Sequence, residues 1–308
     1  MFEHYSVMLE ECIEMLNIKP DGIYVDMTTG GAGHSQLIYQ QLNEKGTLVC
    51  FDQDQVAIDN ALNVFKDKSN VHVVQSNFVE VKEALNKLGI TKVDGFLFDL
   101  GVSSVQFDTP DRGFSYRFDA KLDMRMNQDA KLSAYDIVNT YTFQDIMRIL
   151  SMYGDEKFAK QIARNIEKER EIKPIETTFE LVDIIKKSMP AKVLKEKGHP
   201  AKKTFQALRI AVNDELQVFE KALLDCLDLL NINGRIAVIT FHSGEDKIAK
   251  KVFKEMTTSK IPKDVPIFTN DDVHYKLVNA KGIKPTSDEL SENNRSHSSK
   301  LRVIEKIR

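Results

Sequence analysis

The feature that most constrains this chain is an alternation, over its first hundred residues, of short β-rich runs with longer amphipathic helical stretches. Tyr24–Met27 (YVDM), Thr47–Asp52 (TLVCFD), Val71–Gln75 (VHVVQ) and Val93–Leu100 (VDGFLFDL) read as buried strands. Between them, Gly33–Leu42, Gln55–Phe65 and Val79–Leu88 carry apolar residues at helical spacing. Strands this short, separated by helices, imply βαβ crossovers. The expectation is an α/β fold built on an open parallel sheet.

The pattern then breaks. From Asp108 to Lys203 no β-rich run appears. Loops over Asp108–Asp129 lead into helical stretches around Tyr141–Met152, Lys157–Glu169, Thr178–Lys187 and Ala191–Lys197, punctuated by Pro174, Pro190 and Pro200. The α/β pattern resumes with a long helix, Phe205–Leu230, a strand at Gly234–Phe241 (GRIAVITF) and a helix at Glu245–Met256. Lys300–Ile307 reads as a last strand, paired with His274–Asn279. The expected division is a core in two parts, 1–107 and 204–308, interrupted by a helical insertion over 108–203.

A formal net charge of −3 gives no global attraction to nucleic acid, so such a partner has to be met by a local patch. Lys186–Arg209 holds eight Lys/Arg against Glu196 alone, and Arg295–Arg308 holds five against Glu305. Cys12, Cys50 and Cys226 are far apart and make no C-x-x-C pair, which argues against a zinc site or a disulfide framework. The start of the chain lacks the basic and apolar pattern of a signal peptide, and no run reaches the length of a membrane span. These features point to the cytoplasm and away from a membrane.

The strongest local feature is VDMTTGGAGHS, Val25–Ser35, where a strand runs through glycines straight into a helix. Such a turn lets a ligand approach the backbone and offers it the free N–H groups of the helix start. Asp52 ends the second strand, 19 residues beyond Gly33, where a carboxylate can accept both ribose hydroxyls of an adenosine ligand. A nicotinamide dinucleotide suits these two features equally well. Asp26 on the first strand is more typical of methyltransferases, and Phe78 after the third strand is placed to meet an adenine. Phe78 also reads as ordinary core, and Asp52 as a local cap. Asp99, closing the fourth strand in DLGVSS, sits where an open sheet gathers its reacting groups. It reads equally as a local Asx turn. His34 and His242 are each either site groups or structural.

Read together, these stretches carry a resemblance. The chain resembles the bacterial 16S rRNA (cytosine-N4)-methyltransferase family in DLGVSS, RGFS (Arg112–Ser115), DMRM (Asp123–Met126) and HPAKKTFQALRIAVNDE (His199–Glu215), in that order. The matches extend from His4–Glu10 to Asn294–Arg302. Gly244 and His297 depart from the family's usual residues. The resemblance implies a Rossmann-like S-adenosylmethionine-dependent methyltransferase core with an inserted helical domain for RNA recognition. It implies cofactor contacts at Ala32, Gly33, His34, Asp52, Phe78, Asp99 and Gln106, with Asp99 also catalytic. It further implies a cytidine of 16S rRNA on the small ribosomal subunit as substrate. The oligomeric state stays open, a homodimer among the options. Two rival classes are a nicotinamide-linked oxidoreductase, which shares the turn and Asp52, and a non-catalytic RNA-binding or ribosome-assembly protein.

Overall fold

The computed structural model describes residues 6–259 and 272–308; His4 and Tyr5, in the first stretch matching the family, lie outside the described residues. In chain order come α1 (Leu9–Leu16), β1 (Ile23–Asp26), α2 (Gly33–Gln41), β2 (Thr47–Asp52), α3 (Gln55–Val64), β3 (Val71–Gln75), α4 (Val81–Lys87) and β4 (Val93–Asp99). Seven helices follow: α5 (Ser104–Asp108), α6 (Ala134–Thr140), α7 (Phe143–Gly154), α8 (Ala159–Ile172), α9 (Thr178–Lys187), α10 (Ala191–Leu194) and α11 (Lys202–Asn213). The last elements are α12 (Glu215–Leu229), β5 (Leu230–Thr240), α13 (Ser243–Thr257), β6 (Tyr275–Leu277), α14 (Ser287–Glu292) and β7 (Lys300–Lys306). No helix among the described residues is long and apolar enough to cross a membrane.

The chain forms two compact units, one up to Gly101 and again from Leu216, the other from Val102 to Glu215. In the first, the strands form one sheet in the order β3-β2-β1-β4-β5-β7-β6. Its β1–β5 neighbours pair in parallel, while β7 runs antiparallel to both β5 and β6. Alternation along each strand sends side chains to two cores. Val49 and Phe51 of β2, with Ile236 and Val238 of β5, pack with α4, α12 and α13. Leu48, Cys50, Ala237 and Ile239 face the opposite side, with α1 and α2. Helices on both faces make this a doubly wound, Rossmann-like α/β sheet. The chain steps outward from β1 through β2 to β3, then returns to β4 on the other side of β1. That reversal opens a crevice beyond the carboxyl ends of β1 and β4.

The second unit is helical around its own core, in which Ile146, Ile149 and Leu150 of α7 meet Ile162 and Ile166 of α8 and Leu181 and Ile185 of α9. The sequence boundary at 203 is moved by the structure. Phe205, Ala207, Leu208 and Val212 are buried in this core, so α11 belongs to the helical unit. The single helix expected at Phe205–Leu230 is two helices, because Asp214 adopts φ +49° and ends α11 there. Arg209 spans the break with a bidentate bridge to Glu215, both bonds 2.8 Å. Four short helices, α1, α5, α6 and α14, were not legible in the periodicity.

The RGFS, DMRM and NDE motifs meet in this unit as one knot. The buried Arg112 donates from Nη2 to the carbonyls of Arg125 and Met126, each at 3.0 Å. Asn213 donates from Nδ2 to the Met124 carbonyl at 2.9 Å and accepts from the Met126 N–H at 2.8 Å. Asp123 takes a two-pronged bridge from Arg125, which holds its carboxyl below the usual range against the opposing effect of burial. Residues about 90 positions apart in the chain are therefore joined through backbone carbonyls that a loop would otherwise leave unpaired.

Candidate active site

At the end of β1, Asp26 is buried and accepts from the Thr28 N–H at 3.1 Å and the Ser35 hydroxyl at 2.5 Å. Burial lifts its pKa to about 6 against these two bonds. The chain then turns through Gly30 at φ +48° and Ala32 at φ +65° into α2. The left-handed step at Gly30 aims its N–H at Asp52 Oδ2, 2.9 Å away, and the Asp54 N–H donates to Oδ1 at 2.9 Å. Those two bonds leave half of the carboxylate's lone-pair sites for further donors, such as a vicinal diol. Burial raises the Asp52 pKa to about 6 as well. The first N–H groups of α2 have no intrahelical acceptor and face the same crevice end of the sheet.

Asp99 closes β4. Its backbone N–H donates to Thr28 Oγ1 at 2.7 Å, tying the glycine turn to the end of β4. Oδ2 stands 3.6 Å from His34 Nδ1, while Oδ1 is buried with no hydrogen-bond partner. His34 Nε2 lies 3.1 Å from the Val7 carbonyl, an acceptor only, so that nitrogen carries a proton. The Nδ1 lone pair then faces the carboxyl from just beyond hydrogen-bond distance. Burial first, then the charges of Asp26, Glu245 and Glu289, push the Asp99 carboxyl well above the usual range, which agrees with a protonated group.

The other expected residues are placed as follows. Phe78 is half-buried and sets its ring edge-on to Phe98, centroids 5.8 Å apart, so it is both a core residue and a partly open ring beyond β3. Ala32 and Gly33 form the entry to α2. Gln106 belongs to the helical unit, where it is buried and its Oε1 accepts from the Ser103 N–H at 3.2 Å. His242 caps α13, its Nδ1 accepting from the Gly244 N–H at 3.1 Å, and its Nε2 lies 3.2 Å from Glu245 Oε1. Sequence reasoning missed the supporting groups, Ser35 on Asp26, Thr28 on Asp99 and the Val7 carbonyl on His34. The first two were foreshadowed by hydroxyls inside the glycine motif; a main-chain carbonyl has no sequence signal.

The raised acids make opposite predictions for folding and for ligand. Their folded pKa values near 6 lie above the unfolded value near 4, so their contribution to stability is complete below pH 4 and lost as pH rises through 6. A ligand whose hydroxyls or cationic groups need these carboxylates ionised should bind in the reverse sense. S-adenosylhomocysteine affinity, followed by calorimetry, is expected to be level above pH 7. Below pH 6 it should fall by roughly tenfold per unit for each carboxylate the ligand needs ionised. A flat profile from pH 5 to 8 would contradict it.

The model of the MraW methylase family matches residues 1–307. A protein of Streptococcus mutans named ribosomal RNA small subunit methyltransferase H is 57% identical over 100% of this chain and 98% of its own length. A protein of the same name from Streptococcus dysgalactiae is 54% identical over the same shares. A crystal structure of an rRNA methylase from Streptococcus thermophilus aligns with 96% of this chain and 92% of its own, at 11% identity and a TM-score of 0.41, a likeness too distant to bear on the site. By the family match and by its relatives, this chain belongs to the MraW methylase family.

Proposed function

We propose that this protein is an S-adenosylmethionine-dependent methyltransferase acting on the exocyclic N4 of a cytidine in the decoding region of 16S rRNA, on the small ribosomal subunit. The observation that carries the chemistry is Asp99: a carboxyl at the crevice end of β4, with one oxygen against His34 and the other buried without a partner. A buried acceptor left unpaired costs about 1–3 kcal/mol, a cost that an incoming N–H donor removes. The target rests on the two Streptococcus relatives, whose shared name specifies small-subunit ribosomal RNA. A ribosomal substrate supports a cytoplasmic setting for the protein.

The residues present fit the cofactor. Asp52 offers its remaining lone pairs to the ribose hydroxyls, Phe78 a ring to the adenine, and Asp26 a negative charge near the methionine end. Ala32, Gly33 and His34 supply backbone at the turn, and Gln106 joins this set on the family pattern. When bound, S-adenosylmethionine supplies an electrophilic methyl group and leaves as S-adenosylhomocysteine.

The cytosine amine is a weak nucleophile because its lone pair is delocalised into the ring. Asp99 Oδ1 accepts one N–H, which orients the amine and draws density back onto nitrogen. As the amine takes up the methyl group, that N–H proton would pass to Oδ1. The proton held at Oδ2 moves to His34 Nδ1, so no buried carboxylate charge develops. His34, positioned by the Val7 carbonyl, then releases its proton to solvent. The base reaches this carboxyl once it has left its stack.

Binding separates this reading from a nicotinamide enzyme. S-adenosylhomocysteine should bind and should not be displaced by millimolar NAD. Tight NAD binding with no response to S-adenosylhomocysteine would sink the proposal.

A further inference from the structure

The helical unit carries an aromatic and basic surface of its own. Phe118 and Phe179 are 44% and 43% exposed, unusual for phenylalanine. Their backbones are stitched together: the Thr178 hydroxyl donates to the Phe118 carbonyl at 2.6 Å, and the Thr178 N–H to the Ala120 carbonyl at 2.8 Å. Beside Phe118 in the chain, Tyr116 stacks in parallel on His199, centroids 4.2 Å apart and planes 7° from parallel. Phe205 fixes Tyr116 from its edge. Burial, together with the cations of Lys186 and Arg117, lowers the His199 pKa and favours a neutral ring.

The cations around these rings are unspent. Elsewhere, exposed lysines such as Lys82, Lys87, Lys173 and Lys251 each pair with an acid. Arg117, Lys186 and, on the neighbouring segment, Lys192, Lys195 and Lys197 are exposed, and no ion pair is found for them among the described residues. Lys186 lies two helical turns beyond Phe179 on the exposed side of α9. Four acids, Asp119, Glu180, Asp183 and Glu196, share the region; Asp119 is engaged by the Phe179 N–H at 3.3 Å and Glu180 by Lys173 at 2.9 Å.

Exposed phenylalanines beside a half-buried aromatic stack, among unpaired cations, match a single strand whose bases are splayed and whose phosphates need neutralising. A duplex buries its bases and offers these rings nothing. We infer that the surface of Tyr116, Phe118, Phe179 and His199, with Arg117, Lys186, Lys192, Lys195 and Lys197, is a binding track for single-stranded segments of the RNA substrate. The inference rests on the RNA substrate proposed above.

The test uses the full chain and a fluorescein-labelled 12-nucleotide single-stranded RNA, followed by anisotropy. Phe118→Ala combined with Phe179→Ala should weaken binding about tenfold or more, with the salt dependence unchanged. The triple change Lys192→Ala, Lys195→Ala, Lys197→Ala should lower the slope of log affinity against log salt by roughly two. Lys87→Ala, on the other unit, should alter neither. All these positions are exposed, and S-adenosylhomocysteine binding by each variant reports that the protein remains folded. The inference is overturned if the aromatic pair changes nothing, if duplex RNA of equal length competes as well, or if poly-glutamate does, which would mark a site for acidic polypeptide. Failure of methyl transfer would fault the proposed function while leaving this binding pattern to be judged separately.

Discussion

Replacing Asp99 by asparagine is expected to lower methyl transfer by about 10²–10⁴-fold, the usual worth of a positioned proton acceptor. Asparagine keeps the shape and an oxygen that can accept the amine N–H. It cannot take up a proton at one oxygen while releasing another to His34 Nδ1, 3.6 Å from Oδ2 in the native protein. Because the loss falls on proton transfer, S-adenosylhomocysteine affinity should change by less than about threefold. A variant that turns over at a near-normal rate would remove Asp99 from the chemistry. One that loses affinity while keeping its maximal rate would reduce it to a cofactor-positioning group.

Gly113→Ala is expected to destabilise the helical unit strongly. Gly113 has φ +68°, and a Cβ there would lie 2.2 Å from the Lys121 carbonyl oxygen and 2.9 Å from the Asp123 nitrogen. The left-handed conformation alone costs an alanine about 1–2 kcal/mol. Neither neighbouring backbone atom can rotate away, so relief requires opening the loop that Arg112 closes on Arg125 and Met126. A total of about 3–4 kcal/mol is expected, or a fall of roughly 10–20 °C in the melting transition of a unit this size. Calorimetry with S-adenosylhomocysteine titration checks it, since the cofactor residues of the first unit should retain their geometry. A shift below about 2 °C would show that the loop is less constrained than the structure indicates.

The sheet was legible because its signal is local. Runs such as VDGFLFD have both faces buried and are bounded by turn residues, so β4 could be read to within a residue of its end. The break between α11 and α12 was not legible. It depends on Asp214 entering the left-handed region and on the Arg209–Glu215 bridge, neither of which disturbs the apolar spacing of 205–229. At the site, the strand-end carboxylates Asp26, Asp52 and Asp99 were visible from their positions after apolar runs. Their couplings were not: the Thr28 hydroxyl under Asp99 and the Val7 carbonyl behind His34 are tertiary contacts. RGFS, DMRM and NDE were recognisable as motifs, yet only the fold shows that Arg112, Gly113 and Asn213 are held by backbone geometry.

The central claim is that the crevice formed by the glycine turn, Asp52 and Asp99 delivers a methyl group to ribosomal RNA. Its most direct test incubates the protein with methyl-labelled S-adenosylmethionine and either small ribosomal subunits or naked 16S rRNA, then maps the labelled nucleotide. The account predicts label on N4 of one cytidine in the decoding region, and its loss with Asp99→Asn. Label confined to protein, or absent from both RNA forms, would contradict it.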